Sequence, residues 1–121
     1  DPFGGGHQFH KGIDFEADVG DPVLAVADGV VSYSGARSGY GNVIEIDHGN
    51  GYVTRYAHNS QLERSVGDLV RSGQEIAKAG STGRSTGAHV HFEVWQNGAV
   101  VNPRKFLGHN NALARHGPDR G

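Results

Sequence analysis

The chain has 121 residues, with 11 Lys and Arg against 13 Asp and Glu, a formal net charge of −2, 20 glycines, 8 histidines and neither cysteine nor methionine. At this length one domain buries about two thirds of its unfolded surface. The missing cysteines exclude disulfides, thiolate metal sites and cysteine nucleophiles, and the lack of a basic run argues against nucleic acid as a partner. The longest apolar runs, such as Pro22 to Ala27, fall far short of the ~18 residues that span a bilayer, so a soluble domain is expected.

The start at Asp1-Pro2-Phe3, without an initiator Met, leads us to expect an excised or processed piece with chain upstream. Short β-branched and apolar runs punctuated by glycine then predict an antiparallel β protein with tight turns. Pro22 to Ala27 and Gly29 to Ser34 read as the first two strands. Asn42 to Asp47 and Tyr52 to His58 flank Asn50-Gly51, a strong hairpin signal because both turn positions tolerate positive φ. A looser segment from Gln61 to Gly73 precedes a strand at Glu75 to Ala79 and a Gly/Ser/Thr loop from Gly80 to Gly87. That loop delivers His89 to Trp95, which Asn97-Gly98 turns into Ala99 to Val101. A short helix is expected at Pro103 to Leu107, and residues 108–121 read as a polar tail after a domain of residues 1–107. Val19-Gly-Asp-Pro-Val23 is weakly echoed by Val66-Gly-Asp-Leu-Val70.

Histidine carries the chemistry. Residues two apart on a strand share a face, so His89 and His91 project together while Val90, Phe92 and Val94 point to the opposite, buried face. His10 and Asp14 lie four apart around Gly12 without helical patterning, so the backbone must bend near Gly12 for both to reach one ion. Two imidazoles and a carboxylate leave a fourth tetrahedral position for water, as in a hydrolytic zinc site. With His58 there are five candidates for three ligand places; the surplus imidazoles would act as acid and base, and spacing does not say which does which. Glu93 shares the strand face of His89 and His91 and reads as a supporting or surface residue. His7 is read as a neighbour of the site, His48 as a strand-end residue bonding to backbone, and His109 and His116 as exposed. The Gly80 to Gly87 loop lacks the Gly-Lys-Ser/Thr ending of a phosphate cradle, which argues against nucleotide binding.

From Asp1 to about Leu107 the chain resembles the lysostaphin-type zinc metallopeptidases, which cleave peptide bonds in bacterial peptidoglycan. The resemblance is carried by Phe9-His-Lys-Gly-Ile-Asp-Phe15, the run from Gly20 to Gly29, Tyr40-Gly-Asn42, Tyr56-Ala-His58, Val66-Gly-Asp68, Ser72-Gly-Gln74 and the run from Gly80 through Gly87-Ala-His-Val-His-Phe-Glu93. It implies an antiparallel β domain with one Zn2+ at the floor of a groove, bound by His10, Asp14 and His91, with His58 and His89 as the catalytic pair. It also implies a groove wall with Asn42, Ser81, Thr82, Ser85 and Thr86 as candidates for holding peptidoglycan peptides. A monomer outside the cytoplasm, periplasmic, secreted or attached to the cell wall, is expected.

Three departures stand out. Ala88 replaces a commoner Pro, Asn59 follows His58 where Leu is frequent, and Gly4-Gly-Gly6 stands where some relatives carry a Tyr. The competing reading is a relative that binds and activates a cell-wall amidase; such members typically lack some of the five residues, and all five are present here. Autoinhibition by an upstream segment is compatible with intact ligands. A biotinyl- or lipoyl-type carrier would need a Lys at a hairpin tip, and Lys11, Lys78 and Lys105 do not occupy one.

Overall fold

The computed structural model describes residues 12–82 and 87–104. In chain order these form β1 (Ile13–Glu16), β2 (Pro22–Leu24), β3 (Gly29–Arg37), β4 (Gly41–Gly49), β5 (Tyr52–Asn59), β6 (Gln61–Leu62), β7 (Leu69–Val70), β8 (Glu75–Lys78), β9 (His89–Gln96) and β10 (Ala99–Val101). A seven-stranded sheet runs β1-β9-β5-β4-β3-β7, with β10 also paired to β9, and a second sheet runs β2-β8-β6. The strand pairings are antiparallel. Pro103 and Arg104 are helical, and the rest of the expected helix, like the tail, lies outside the described residues. Among the described residues no helix is long and apolar enough to cross a membrane.

Alternation along the central strands divides the large sheet into two chemically different faces. Ile44 and Ile46 of β4, Tyr56 of β5 and Phe92 and Val94 of β9 are buried on one face, against Val23, Ile76 and Ala77 of the small sheet. Burying side chains of this kind contributes about 1.5–3 kcal/mol each. The opposite face carries Glu45, Arg55, His91 and Glu93, which the pairings Glu45↔Arg55, Arg55↔Glu93 and Ala57↔His91 set side by side.

The two Asn-Gly pairs make the turns expected of them. Asn50 and Gly51 have φ of 53° and 82°, Asn97 and Gly98 have 51° and 83°, and each pair forms a two-residue hairpin loop. The two tips touch: Asn97 N–H donates to the Gly51 carbonyl (2.9 Å).

The sequence echo is a structural repeat, and it has a third copy. In residues 18–21, 65–68 and 71–74 the first N–H donates to the side-chain oxygen of the fourth residue (Asp21, Asp68 and Gln74, at 2.8, 2.8 and 2.9 Å). The third position is a glycine at φ 95°, 97° and 85°, where other residues would be strained. Each turn then grips one residue of a neighbouring segment by both backbone groups: Ala79, Val31 and Ala25 respectively. These grips, together with β6 and β7, fasten the 61–73 segment that the sequence left looser.

A directed hydrogen-bond chain crosses the core beneath β4 and β5. Val26 N–H donates to the Tyr56 hydroxyl (3.1 Å), which lies 2.9 Å from Thr54 Oγ1. Thr54 Oγ1 is 2.7 Å from His48 Nε2, and His48 Nδ1 is 2.7 Å from the Asp28 carbonyl. A backbone N–H begins this chain and a carbonyl ends it, so neutral His48 must hold its proton on Nδ1 and accept from Thr54. Burial keeps His48 below the usual histidine pKa and outweighs the upward pull of the Asp28 carbonyl, Asp47 and Asp28.

Candidate active site

The site forms where β1, β5 and β9 meet on the polar face. Gly12, at φ 106°, leads into β1, which places Asp14 directly opposite His91 and Glu16 opposite His89. The bend expected near Gly12 thus coincides with a backbone conformation suited to glycine. A β-carbon there would overlap the Phe92 carbonyl oxygen and lie 2.9 Å from Glu93 Cγ. His10 and His7 lie outside the described residues.

Asp14 Oδ1 lies 2.7 Å from His91 Nδ1 and 3.5 Å from His89 Nε2. The His58 ring is 5.0 Å from that of His89 and 6.0 Å from that of His91. The structure therefore brings together four of the five sequence candidates. His58 adopts φ 66°, rare for a residue with a side chain, as β5 ends, and its N–H is held by the Tyr40 carbonyl (2.8 Å).

Each imidazole has an orienting acceptor. His58 Nδ1–H donates to the Thr82 carbonyl (2.5 Å), leaving Nε2 as the lone-pair nitrogen. Burial holds His58 below the usual histidine range, with the Thr82 carbonyl opposing and His89 and His91 adding to the effect. His89 Nδ1–H donates to the Gly87 carbonyl (2.9 Å). His91 Nε2–H donates to Glu93 (2.9 Å). Burial acts against the charged form of His91, but bonding to Glu93 and Asp14 raises its pKa overall.

Two expected groove residues are engaged with the protein itself. Thr82 Oγ1 accepts from Asn42 N–H (3.1 Å) and donates to the Asn59 carbonyl (2.8 Å). The Asn42 side chain donates to the same carbonyl, and Asn59 Nδ2 donates to the carbonyls of Asn42 and Tyr56. Asn59, where relatives often have Leu, is therefore a buried clasp behind His58; its Oδ1 is left without a partner. Ser81 is exposed, and Ser85 and Thr86 lie outside the described residues.

Glu93 is 1 % exposed, so the surface alternative for it is overturned and the supporting one holds. Among the described residues no cluster of three suitable groups would by itself hold a metal ion. The donor chemistry nevertheless fits zinc. Two acceptors, Asp14 Oδ1 and a His91 Nδ1 whose ring proton sits on the Glu93 side, approach to 2.7 Å, which requires a proton or a cation between them.

A two-sheet antiparallel β domain with an imidazole–carboxylate cluster on its polar face is the framework of a metallopeptidase. The chain belongs to peptidase family M23, whose profile it matches over residues 8–103. It is 50% identical over 96 residues to the DD-carboxypeptidase/endopeptidase Mpg of Neisseria meningitidis serogroup B, covering 79% of this chain and 22% of that protein. It is 42% identical over 106 residues to the murein hydrolase activator NlpD of Escherichia coli, covering 87% and 28%. The chain thus spans about a quarter of the length of these curated relatives. Among solved structures, the catalytic domain of lysostaphin from Staphylococcus simulans matches with a TM-score of 0.76 at 36% identity, covering 82% of this chain and 79% of that one. A zinc-containing peptidase from Vibrio cholerae matches at 0.71 with 43% identity, covering 77% and 29%.

Proposed function

We propose that the chain is a zinc-dependent endopeptidase that hydrolyses peptide stems or cross-links of bacterial peptidoglycan, working as a monomer outside the cytoplasm. The observation that carries this reading is the convergence of Asp14 and His91 at 2.7 Å with two further imidazoles beside them. Asp14, His91 and His10 would hold the ion, and zinc bound there would polarise a carbonyl and make water acidic enough to act near neutral pH.

The other steps fall to the chain's own groups. His58, kept neutral by burial with Nε2 free of its own proton, takes the proton from the attacking water. The proton that His58 takes is returned to the departing amine, and His89, its ring 5.0 Å from that of His58, is the second imidazole of that transfer. Thr82, held by Asn42 and Asn59, would stand beside an extended peptide lying along the site.

The similarity to NlpD supports a second reading, binding and activation of a cell-wall amidase. The presence of all five expected residues favours the enzyme. Digestion of several purified peptidoglycans by the zinc-loaded protein, with mass spectrometry of the products, separates the two. Fragments that vanish with His58→Ala and with chelator establish the peptidase and identify its bond. No cleavage by folded, zinc-loaded protein overturns it in favour of the activator or of an autoinhibited form.

A further inference from the structure

The polar face holds one group that the proposed reaction leaves unused. Glu93 is almost wholly buried, yet both its oxygens are filled: Oε2 accepts from the Tyr40 hydroxyl (3.0 Å) and His91 Nε2 (2.9 Å), and Oε1 from Arg55 (3.1 Å) and the Trp95 indole N–H (2.9 Å). A carboxylate offers about four lone-pair positions, so this one is saturated by donors. Its position follows from register. Glu45, Arg55 and Glu93 stand opposite one another on β4, β5 and β9, and Arg55 bonds Glu45 at 2.7 Å on its other side. The guanidinium is held further over the Tyr40 and Trp95 rings, 5.0 and 4.7 Å from their centroids. At the far end, Arg37 reaches Glu45 at 3.3 Å and lies over Tyr33.

A row of alternating charge thus runs across the sheet and ends on a single imidazole nitrogen. An ionised carboxylate can only accept, so the ring proton of His91 is obliged to sit on Nε2. Nδ1 is then the nitrogen left facing Asp14. Gly12 makes the fit possible from the other side, since a side chain there would meet Glu93 Cγ.

We infer that Glu93, braced by Arg55, is a positioning residue that fixes the tautomer and ring plane of His91 so that Nδ1 is its metal-binding nitrogen. This rests on the zinc-peptidase reading and extends it beyond the ligands. Outer carboxylates of this kind typically change metal affinity by about 10–100-fold. Gln at this position has one accepting oxygen and an NH2 group, so it would turn donors toward at least some of the four donors it must meet.

The test measures the zinc dissociation constant of the wild-type chain and of Glu93→Gln by competition with a chromogenic chelator, with circular dichroism to establish that each is folded. Nitrogen-15 shifts of the histidine rings are recorded on the zinc-loaded wild type. The expected results are a dissociation constant about 10–100-fold weaker in the variant and a wild-type His91 with Nε2 protonated and Nδ1 on the metal. Equal affinities, or His91 bound through Nε2, overturn the inference while leaving the zinc-peptidase reading intact. A folded wild type that takes up no zinc overturns both. Should Glu93→Gln fail to fold, the wild-type tautomer decides.

Discussion

Asp14 and His91 are cross-strand partners on β1 and β9, and their side chains meet at 2.7 Å although 77 positions separate them in sequence. Asp14 is 60% exposed on the groove side, so solvent reaches the pair from there, whereas His91 is backed by buried Glu93. Under the zinc reading proposed above, a pair that meets only when β1 docks on β9 couples ion binding to folding.

Zinc should therefore stabilise the protein. At free zinc 100-fold above the dissociation constant the gain is about 2.7 kcal/mol. Thermal unfolding in chelator and after zinc addition measures it, and Asp14→Ala should abolish the difference. Equal stabilisation of that variant would place the ion elsewhere.

The hold of Thr82 on His58 predicts a graded loss. His58→Ala removes the proton acceptor and should lower kcat about 10²–10⁴-fold. Thr82→Val keeps the carbonyl but strips the hydroxyl that Asn42 N–H and the Asn59 carbonyl use, at a cost of about 1–3 kcal/mol in stability. Its kcat should fall less than that of His58→Ala. Cleavage kinetics on a soluble cross-linked peptide, with urea denaturation alongside, test both effects.

Gly12→Ala should be disproportionately damaging for one methyl group. Positive φ and overlap with the Phe92 carbonyl together cost about 3 kcal/mol. The strain falls where β1 joins β9, so zinc affinity should drop with stability. A variant as stable as the wild type would contradict the described backbone.

Stability should also fall on acidification because of His48. Its folded pKa lies below the ordinary 6.5, so the unfolded chain binds the proton first as pH falls. The contribution is fully present above about pH 6.5 and is lost as pH drops through the folded value. Structurally, protonation puts a second N–H on the ring facing Thr54, which must then donate to Tyr56, leaving the Tyr56 hydroxyl proton without its acceptor. Denaturation between pH 8 and 5 should show a steeper decline in the wild type than in His48→Gln. Parallel curves would exclude His48 as the source.

Much of this arrangement can be read in the sequence. The Asn-Gly pairs set the hairpins, and alternation in His89 to Trp95 puts the imidazoles on one face and Phe92 and Val94 on the other. β1 is less legible because Ile13-Asp-Phe-Glu16 is four residues long with two carboxylates; only pairing to distant β9 makes it a strand. β6 and β7, at two residues each, have no period to detect. The first two strands differ at their ends: β2 stops at Leu24, short of Ala27, where turn 71–74 grips Ala25, while β3 runs on to Arg37. Burial of Glu93 is hidden because a lone carboxylate reads as surface; its signal is the register that sets Arg55 opposite it, which no local pattern contains.

The contact between the two hairpin tips, Asn97 on Gly51, keys β9 to β5 at the end of the sheet away from the histidines. A slip of one residue there would turn every side chain of β9 over, sending His91 toward the interior and Phe92 into the groove. A one-residue slip therefore cannot spare the site: the packed interior and the cluster of imidazoles are kept or lost together.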